Sequence, residues 1–210
     1  MNLFTFIVQN HSEVLELTLE HLWLVGLSTL IAVSIGIPLG ILIAHWPILN
    51  KPVLAGANII QTIPSLALFG FLLPVPWLGD RAERLAILAL TLYALLPLIR
   101  NTYAGIRGVD PEVVEAGRGM GLTDRQLLFQ VELPLALSVI LSGVRVAVVI
   151  SVGLATIAAA IGAGGLGELI FRGLAMVNNQ LILAGAIPAA VLALLADQSL
   201  GWLEKRLRPQ

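Results

Sequence analysis

Long apolar runs alternate with short polar segments along this chain. A helix needs roughly 20 consecutive, mostly apolar residues to cross the hydrocarbon core of a bilayer. Five runs approach or exceed that length, and most charged residues fall between the runs or near their ends. The pattern therefore predicts an all-α protein with five transmembrane helices, at about residues 22–44, 53–73, 85–106, 135–161 and 181–203.

The composition supports this prediction and excludes several classes of protein. Hydrophobic residues make up 58% of the 210 residues, charged residues make up 12%, and the mean hydropathy is +0.93. These values are typical of an integral membrane protein, here with a single membrane domain. A net charge of −1 leaves no broad basic surface for nucleic acid, and the absence of cysteine excludes disulfides and thiol chemistry.

Charge is concentrated in one segment, residues 108–134, between the third and fourth apolar runs. Pro111 is a suitable first residue for a helix that runs to about Met120. Gly121 is a suitable C-terminal cap for that helix, because glycine adopts the left-handed conformation without strain. We therefore expect this segment to begin with a short helix in water.

A second short helix is predicted in the remainder of the segment. Thr123 or Asp124 can cap its N-terminus, and Pro134 is expected to open the fourth span. Apolar side chains recur on one face of this helix at helical spacing: Leu127, Leu128 and Val131.

Basic residues fall mostly on one side of the predicted bundle, and cytoplasmic loops carry an excess of Lys and Arg. One set of loops holds Lys51, Arg107, Arg118, Arg125, Lys205, Arg206 and Arg208, with Arg100 nearby, whereas the other holds Arg81, Arg84 and Arg172. We therefore expect an external N-terminus and a cytoplasmic C-terminus. Segment 1–20 would be external or interfacial, residues 21–204 would form the membrane domain, and 205–210 would be a cytoplasmic tail.

The N-terminal segment carries acidic residues and no Lys or Arg before residue 22, so it lacks the basic start of a secretory signal. Asn10 followed by Glu13 is a capping pattern. It predicts a short helix through about Leu19 that lies at the membrane surface.

A polar segment, Gln61-Thr62-Ile63-Pro64-Ser65, interrupts the second run near its middle. Proline removes one backbone hydrogen bond and opens a kink. In one interpretation the hydroxyl groups satisfy the freed carbonyls of a kinked helix. In the other, the kink places Gln61, Thr62, Pro64 and Ser65 on a translocation pathway.

Arg145 lies about 11 residues into the fourth run. An arginine near the bilayer centre costs roughly 2.5 to 3.5 kcal/mol on insertion scales, so its side chain should face the bundle, snorkel or pair with a carbonyl or carboxylate. It either holds helices together or acts in a gate or pathway. Asp197, late in the fifth run, is a possible partner.

Glycines cluster after the fourth run, at Gly162, Gly164, Gly165 and Gly167. The spacing satisfies G-x-G-x-x-G, but a dinucleotide fingerprint requires a preceding strand and an acidic residue about 20 positions later. Here the preceding run is apolar and helical, and residue 187 is Ile. We therefore expect a tight external turn with close helix contacts.

The charged segment resembles a known signature. Its spacing agrees with E-A-A-x(3)-G-x(9)-I-x-L-P, the EAA signature of ABC-importer permeases, with Gly117 in place of Ala and Val131 in place of Ile. The matching residues are Glu115, Ala116, Gly117, Gly121, Val131, Leu133 and Pro134.

This resemblance implies a type I ABC importer permease fold in a bacterial or archaeal inner membrane, with a cytoplasmic coupling helix between spans three and four. Glu115 would supply charge where a separate ATPase subunit docks, and Ala116, Gly117 and Gly121 would permit close approach. An external binding protein would deliver the substrate, and a second permease subunit, identical or paralogous, would complete the pathway. ATP and Mg would bind to the ATPase and not to this chain.

Further segments are similar to the permeases of glycine betaine, choline, carnitine and proline betaine importers. They include Q-T-I-P-S at 61–65, the opening His21-Leu22, G-I-P-L-G at 36–40 and I-G-A-G-G-L-G at 161–167, the last of which is also similar to methionine importers. Together these motifs cover about residues 20–203. They imply a small osmoprotectant as substrate, with an amino acid or another small solute as the alternative.

Enzymatic and other transport classes fit the residues poorly. Lys51 and Lys205 are the only lysines, and neither completes a phosphate-binding G-x(4)-G-K-[ST] loop. The three histidines are scattered, and no catalytic triad or metal motif is present. An ion-coupled secondary transporter would usually have more spans and more intramembrane acids. A non-transporting scaffold would leave the signature without a purpose.

Overall fold

The computed structural model describes residue 6 and residues 9–207, so the ends of the predicted N-terminal segment and tail, including Arg208, lie outside the described residues. Two irregular turns flank the helix Leu133–Ala158: a π-helical turn, Leu128–Glu132, before it and a 3-10 turn, Ala159–Ile161, after it. From residue 11 onward the α-helices are α1 His11–His45, α2 Pro47–Thr62, α3 Ser65–Leu72, α4 Ala82–Arg107, α5 Pro111–Gly119, α6 Asp124–Leu127, α7 Leu133–Ala158, α8 Gly167–Ala175 and α9 Asn179–Arg206.

The predicted all-α fold is confirmed for the part of the chain that the structure describes. Helix α1, helix α4, the continuous helix Asp124–Ile161 and helix α9 are each long and apolar enough to cross a membrane. They correspond to the first, third, fourth and fifth predicted spans. The bent pair α2 and α3 occupies the position of the second.

Helices α1 and α4 run parallel in close contact. A Cβ atom built on Gly36 would lie 2.8 Å from Leu98 Cβ, and one built on Gly40 would lie 2.5 Å from Thr102 Cβ. The residue numbers rise together along both helices, which makes the pair parallel. Because α1 and α4 are parallel, the chain between them must return to the end where α1 began.

Helix α7 runs antiparallel to α4, since a Cβ on Gly143 would lie 2.6 Å from Asn101 Cβ and one on Gly105 would lie 3.2 Å from Ala136 Cβ. Helix α9 is antiparallel to α7. Within the described residues the chain therefore passes through the bundle five times, counting α2 and α3 as one passage. Residues 108–132, here called the coupling loop after the family resemblance, lie at one end, the coupling-loop end, and residues 162–167, the glycine turn, lie at the other, the glycine-turn end.

The second predicted span differs from a kinked helix. Helices α2 and α3 meet at an angle of 99° across Ile63 and Pro64. Helix α2 runs antiparallel to α4 only as far as Tyr93, about halfway along α4, where Gln61 donates a hydrogen bond to the Tyr93 carbonyl at 3.0 Å. Helix α3 then lies across the bundle, with Phe69 buried in its largest apolar cluster.

The first helix is longer than predicted. Its 35 residues span about 52 Å at 1.5 Å per residue, well beyond a hydrocarbon core of about 30 Å. The expected separate surface helix through Leu19 is instead the first part of α1, because the apolar face of α1 continues through the buried Leu17. Asn10 makes no side-chain cap, and its amide donates to the Phe6 carbonyl at 2.9 Å.

The α-helix of the fourth span begins at Leu133 with Pro134 in its first turn, as predicted, but no break separates it from the second short helix. Helix α6, the π turn and α7 form one continuous helix. In the π turn the Leu133 amide donates to the Leu128 carbonyl, five residues back. This wider turn accommodates Pro134, which has no N–H for an ordinary helical bond.

Candidate functional site

The first short helix of the charged segment is capped at both ends: Pro111 and Gly121 occupy their predicted positions, and Asp110 is an N-cap that was not predicted. Asp110 accepts a hydrogen bond from the Glu112 amide at 2.9 Å, and Pro111 is the first helical residue. At the other end Gly121 has φ +85°, and the Leu122 amide donates to the Gly117 carbonyl at 3.1 Å. Helix α5 therefore has well-defined ends within the loop.

The second short helix is fixed to the first. Thr123 forms a reciprocal capping box with Gln126, in which the Thr123 amide donates to Gln126 Oε1 at 2.9 Å. A Cβ on Gly117 would lie 2.7 Å from Leu127 Cδ1, so glycine permits the close contact between α5 and α6. Residues Leu127, Leu128 and Val131 are buried or half-buried, as the predicted apolar face requires.

The outer surface of this loop carries the signature residues Glu115 and Ala116, which are both exposed. Large apolar side chains lie exposed on the same segment: Val113 at 43%, Met120 at 77% and Phe129 at 59%. Leu133 is half-buried and Pro134 is exposed where the loop joins α7. Mixed charged and apolar surface of this kind is typical of a protein interface.

A polar cavity of about 320 Å³ lies behind this loop. Its lining includes Glu115 and Arg118 from α5, Arg107 from the end of α4, and His45 and Glu132. His45 Nε2 lies 3.0 Å from Glu132 Oε2. Sequence reasoning did not identify this pair, because the two residues are 87 positions apart and belong to no shared motif.

The polar segment at the α2–α3 break is held by α4. The Tyr93 hydroxyl donates to the Ile63 carbonyl, and Thr62 Oγ1 donates to the Ile59 carbonyl at 2.7 Å. The Tyr93 and Thr62 hydroxyls thus satisfy carbonyls that the break leaves without helical partners, whereas Gln61 satisfies the Tyr93 carbonyl, whose helical partner would be Pro97. Thr62 and Pro64 are exposed, whereas Gln61 and Ser65 are half-buried.

Arg145 joins α7 to α9 through Asp197, the partner considered from the sequence. Arg145 Nε donates to Asp197 Oδ1, and Arg145 Nη2 donates to Asp197 Oδ2 at 2.7 Å, a two-point contact between guanidinium and carboxylate. Glu204 Oε2 lies 3.8 Å from Arg145 Nη1. A Cβ on Gly201 would lie 3.2 Å from Arg145 Nη1, so the guanidinium lies against the bare backbone of α9.

The glycine cluster forms the tight turn that the sequence predicted. Gly162, Gly164 and Gly165 have φ near +80°, in the left-handed region that other residues rarely adopt. A Cβ on Gly167 would lie 2.0 Å from the Thr156 carbonyl oxygen. The Gly165 amide donates to Glu20 Oε2 at 2.9 Å, which ties the turn to α1.

The predicted site residues therefore occupy separate places. The coupling loop and the glycine turn lie at opposite ends of the bundle, while the α2–α3 break contacts α4 and the arginine pair joins α7 to α9. Helix α8, which follows the glycine turn, was not predicted. It lies within the segment assigned to an external loop, and its buried residues Leu169 and Gly173 pack towards α9.

Several characterised permeases resemble this chain over nearly its whole length. The carnitine transport permease protein OpuCB of Listeria monocytogenes is 43% identical, and the match covers 98% of this chain and 93% of the relative. The glycine betaine/carnitine/choline transport system permease protein OpuCD of Bacillus subtilis is 48% identical, with coverage of 98% and 89%. The osmoprotectant import permease protein OsmW of Salmonella typhimurium is 42% identical, with coverage of 99% and 96%.

Solved structures support the same fold. The inward-facing MetNI methionine ABC transporter matches with a TM-score of 0.85 at 23% identity, over 94% of this chain and 97% of that one. An amino acid ABC transporter with histidines matches with a TM-score of 0.68 at 22% identity, over 98% and 99%. The predicted type I importer permease fold is confirmed.

Residues 36–209 match the family described as the inner membrane component of binding-protein-dependent transport systems. The match includes the whole coupling loop and both apolar helices that follow it. Since it covers most of the chain and agrees with the full-length relatives, this protein belongs to the binding-protein-dependent transport system inner membrane component family.

Proposed function

We propose that this chain forms the translocation pathway of an ATP-driven importer for a small osmoprotectant, such as glycine betaine, choline, carnitine or proline betaine. The observation that carries this proposal is the identity of 42% to 48% with permeases named for carnitine, choline, glycine betaine and osmoprotectant transport. The similarity spans the entire bundle, so it includes the helices that would surround a substrate.

The coupling loop is the proposed docking surface for an ATPase subunit. Its two helices are capped and packed on each other at Gly117, which makes them a firm unit rather than a flexible linker. Glu115 and the apolar side chains of Met120 and Phe129 are exposed for contact. ATP and Mg would bind to that partner, because neither Lys51 nor Lys205 lies in a phosphate-binding loop.

Helix continuity suggests how ATP-driven movement reaches the membrane. Helix α6, the π turn and α7 are continuous, so a rotation of the docked loop would turn α7 directly. Closure of two ATPases would thereby change which side of the pathway is open. Membrane-embedded changes of this type need a joint, and the α2–α3 break supplies one.

The pathway is proposed to lie beside the α2–α3 break and the face of α7 that carries Arg145. Irregular backbone at membrane depth is tolerated where it is buried in protein or lines a water-filled cavity, and Thr62 and Pro64 are exposed there. The side chains of Arg145 and Asp197 are 38% and 36% exposed, which is unfavourable against lipid. A second permease subunit, identical or paralogous, would cover this face and complete the pathway.

The glycine-turn end is the proposed landing surface for an external binding protein. Its loops carry few basic residues compared with the coupling-loop end, which favours an external position and a cytoplasmic C-terminus. The segment 73–81 and helix α8 form part of this end, where Arg172 pairs with Glu13 of α1. Selectivity for the substrate would then arise largely in the binding protein.

The test is uptake in cells that lack their own osmoprotectant importers. The permease is expressed with the ATPase and binding protein of its own transporter, and uptake of labelled glycine betaine, choline, carnitine and methionine is measured at high osmolarity. We expect saturable, ATP-dependent uptake of at least one quaternary ammonium compound. Uptake of methionine alone would support the amino-acid alternative, and uptake driven by an ion gradient without the ATPase would support a secondary transporter.

A double variant tests the proposed ATPase docking surface separately. The double substitution Glu115→Lys with Gly121→Trp should abolish co-purification of the ATPase, because it reverses a surface charge and places a large side chain at a residue with φ +85°. Arg84→Gln, an exposed charge change at the glycine-turn end, is the control and should leave co-purification unchanged. Normal assembly of the double variant would contradict the docking surface.

A further inference from the structure

His45 and Glu132 connect two elements that the sequence places far apart. His45 is the last residue of α1, and Glu132 is the last residue of the π turn. Besides the 3.0 Å contact with Glu132, the His45 ring places Nδ1 3.0 Å from the Ile41 carbonyl oxygen. A carbonyl and a carboxylate both accept, so both contacts are hydrogen bonds when each ring nitrogen carries a hydrogen.

The surroundings of Glu132 favour a bonded pair. Glu132 is only 7% exposed, and a buried carboxylate needs a partner. The charged groups that face the pair across the shared cavity are Arg107 from α4 and Glu115 and Arg118 from α5.

The pair also lies at the irregular point between the docking loop and the membrane. The π turn contains one more residue per turn than an α-helix, so it sets the rotation of α7 relative to α6. Glu132 ends that turn and is fixed to α1 by His45. Helix α1 in turn contacts α4 closely through Gly36 and Gly40.

We propose that the His45–Glu132 pair is a strut that couples the docking loop to α1 and α4, and that it stays closed throughout transport. It holds the π turn at one angle, so that movement of the loop displaces the first and third spans together with α7. Both residues are positioning residues: they contact neither nucleotide nor substrate. This inference rests on the proposed function, because it assigns the pair a role in ATP-driven import.

The first test measures substrate molecules imported per ATP hydrolysed, in proteoliposomes with the complete transporter. Glu132→Met and His45→Phe, which keep the approximate size and remove the acceptor or the donor, should each lower this ratio about tenfold, the effect of losing one hydrogen bond to a carboxylate. The ratio for the double variant should be no lower than the ratio for the more impaired single variant, because both substitutions remove the same contact. Glu16→Met, at an exposed carboxylate near the other end of α1, is the matched control and should leave the ratio unchanged.

A purely structural contact would give a different result. In that case the variants would lower the thermal midpoint of the complex while import per ATP stayed at the wild-type value, and the proposal would be overturned. Co-purification of the ATPase is measured alongside, and it should be unchanged because the pair lies behind the docking surface.

The second test restores the strut covalently. The chain has no cysteine, so His45→Cys with Glu132→Cys provides a unique pair of thiols. A short, reducible bifunctional thiol reagent that enters through the cavity should link them, detected by mass. Linking should raise import per ATP towards the wild-type value, and reduction should lower it again.

Two outcomes of the second test would contradict the proposal. If linking stops import, the pair must open during transport and is not a permanent strut. If each single cysteine reacts with the reagent but the pair does not link, the two residues are not neighbours in the membrane. Failure of the wild-type protein to import any osmoprotectant would instead contradict the proposed function, and the linking result would still report on the contact.

Discussion

Pro64 and Pro134 have opposite effects on the helices around them. At Pro64 the chain turns by 99° and two helices replace one. At Pro134 the helix continues through a π turn into α7. Pro38, Pro97 and Pro188 lie inside helices. Proline therefore permits a break without dictating one.

The neighbouring contacts account for the difference. At Pro64 the carbonyls released by the break are taken up by other groups, since the Tyr93 hydroxyl donates to the Ile63 carbonyl. Before Pro134 the backbone satisfies itself, because the Leu133 amide donates to the Leu128 carbonyl. Whether a proline breaks a membrane helix thus depends on the donors that a neighbouring helix provides.

The largest effect is expected from Tyr93→Phe. The substitution leaves the Ile63 carbonyl without its donor in a low-dielectric environment, and the free energy of unfolding should fall by about 1 to 3 kcal/mol. Unfolding in mixed detergent micelles measures this change. Tyr103→Phe is the matched control, because Tyr103 is half-buried on the same helix, and it should have a smaller effect. Equal losses would show that the break does not depend on Tyr93.

A smaller effect is expected from Thr123→Ala, at the start of the helix that contains Pro134. It removes the capping box with Gln126 and should destabilise the start of α6 by about 1 kcal/mol. Hydrogen exchange of residues 124–127 should accelerate, while exchange in α7 stays unchanged. Acceleration throughout α7 would mean that the π turn does not separate the loop from the span.

The smallest effect is expected from Pro134→Ala. The π turn already accommodates the missing N–H, so the free energy of unfolding should change by no more than about 0.5 kcal/mol. The same micelle assay measures this variant beside Tyr93→Phe. A loss comparable to that of Tyr93→Phe would show that Pro134 itself maintains the π turn, and the contrast between the two prolines would disappear.

Local signals explain how much of the molecule was predictable. Pro111, Gly121 and Thr123 act on their immediate neighbours, so their places at the ends of the two short helices were predicted correctly, as were the glycine turn and four of the five apolar spans, whereas the Asp110 cap was missed. The sharp α2–α3 bend depends on Tyr93, some 30 residues away, and a kink was predicted in its place.

The other differences between prediction and structure also arise where local sequence signals are missing. A proline marks a possible helix boundary in a sequence, but the π turn that absorbs Pro134 has no local signal. The pair of His45 and Glu132 exists only once α1 and α7 have met, since the two residues are 87 positions apart. Asp197 was considered as a partner of Arg145 because few charged groups lie within the apolar runs.

The two glycines that α1 presents to α4 restrict how this subunit can change shape. At Gly36 and Gly40 the backbone of α1 lies so close to α4 that a methyl group would not fit between the two helices. The helices could therefore slide along each other only after moving apart. The first and third spans must then travel as one rigid block in any gating cycle. Motion within the subunit is left to the bend at mid-depth, because the proposed strut holds the interruption above the docking loop at one angle.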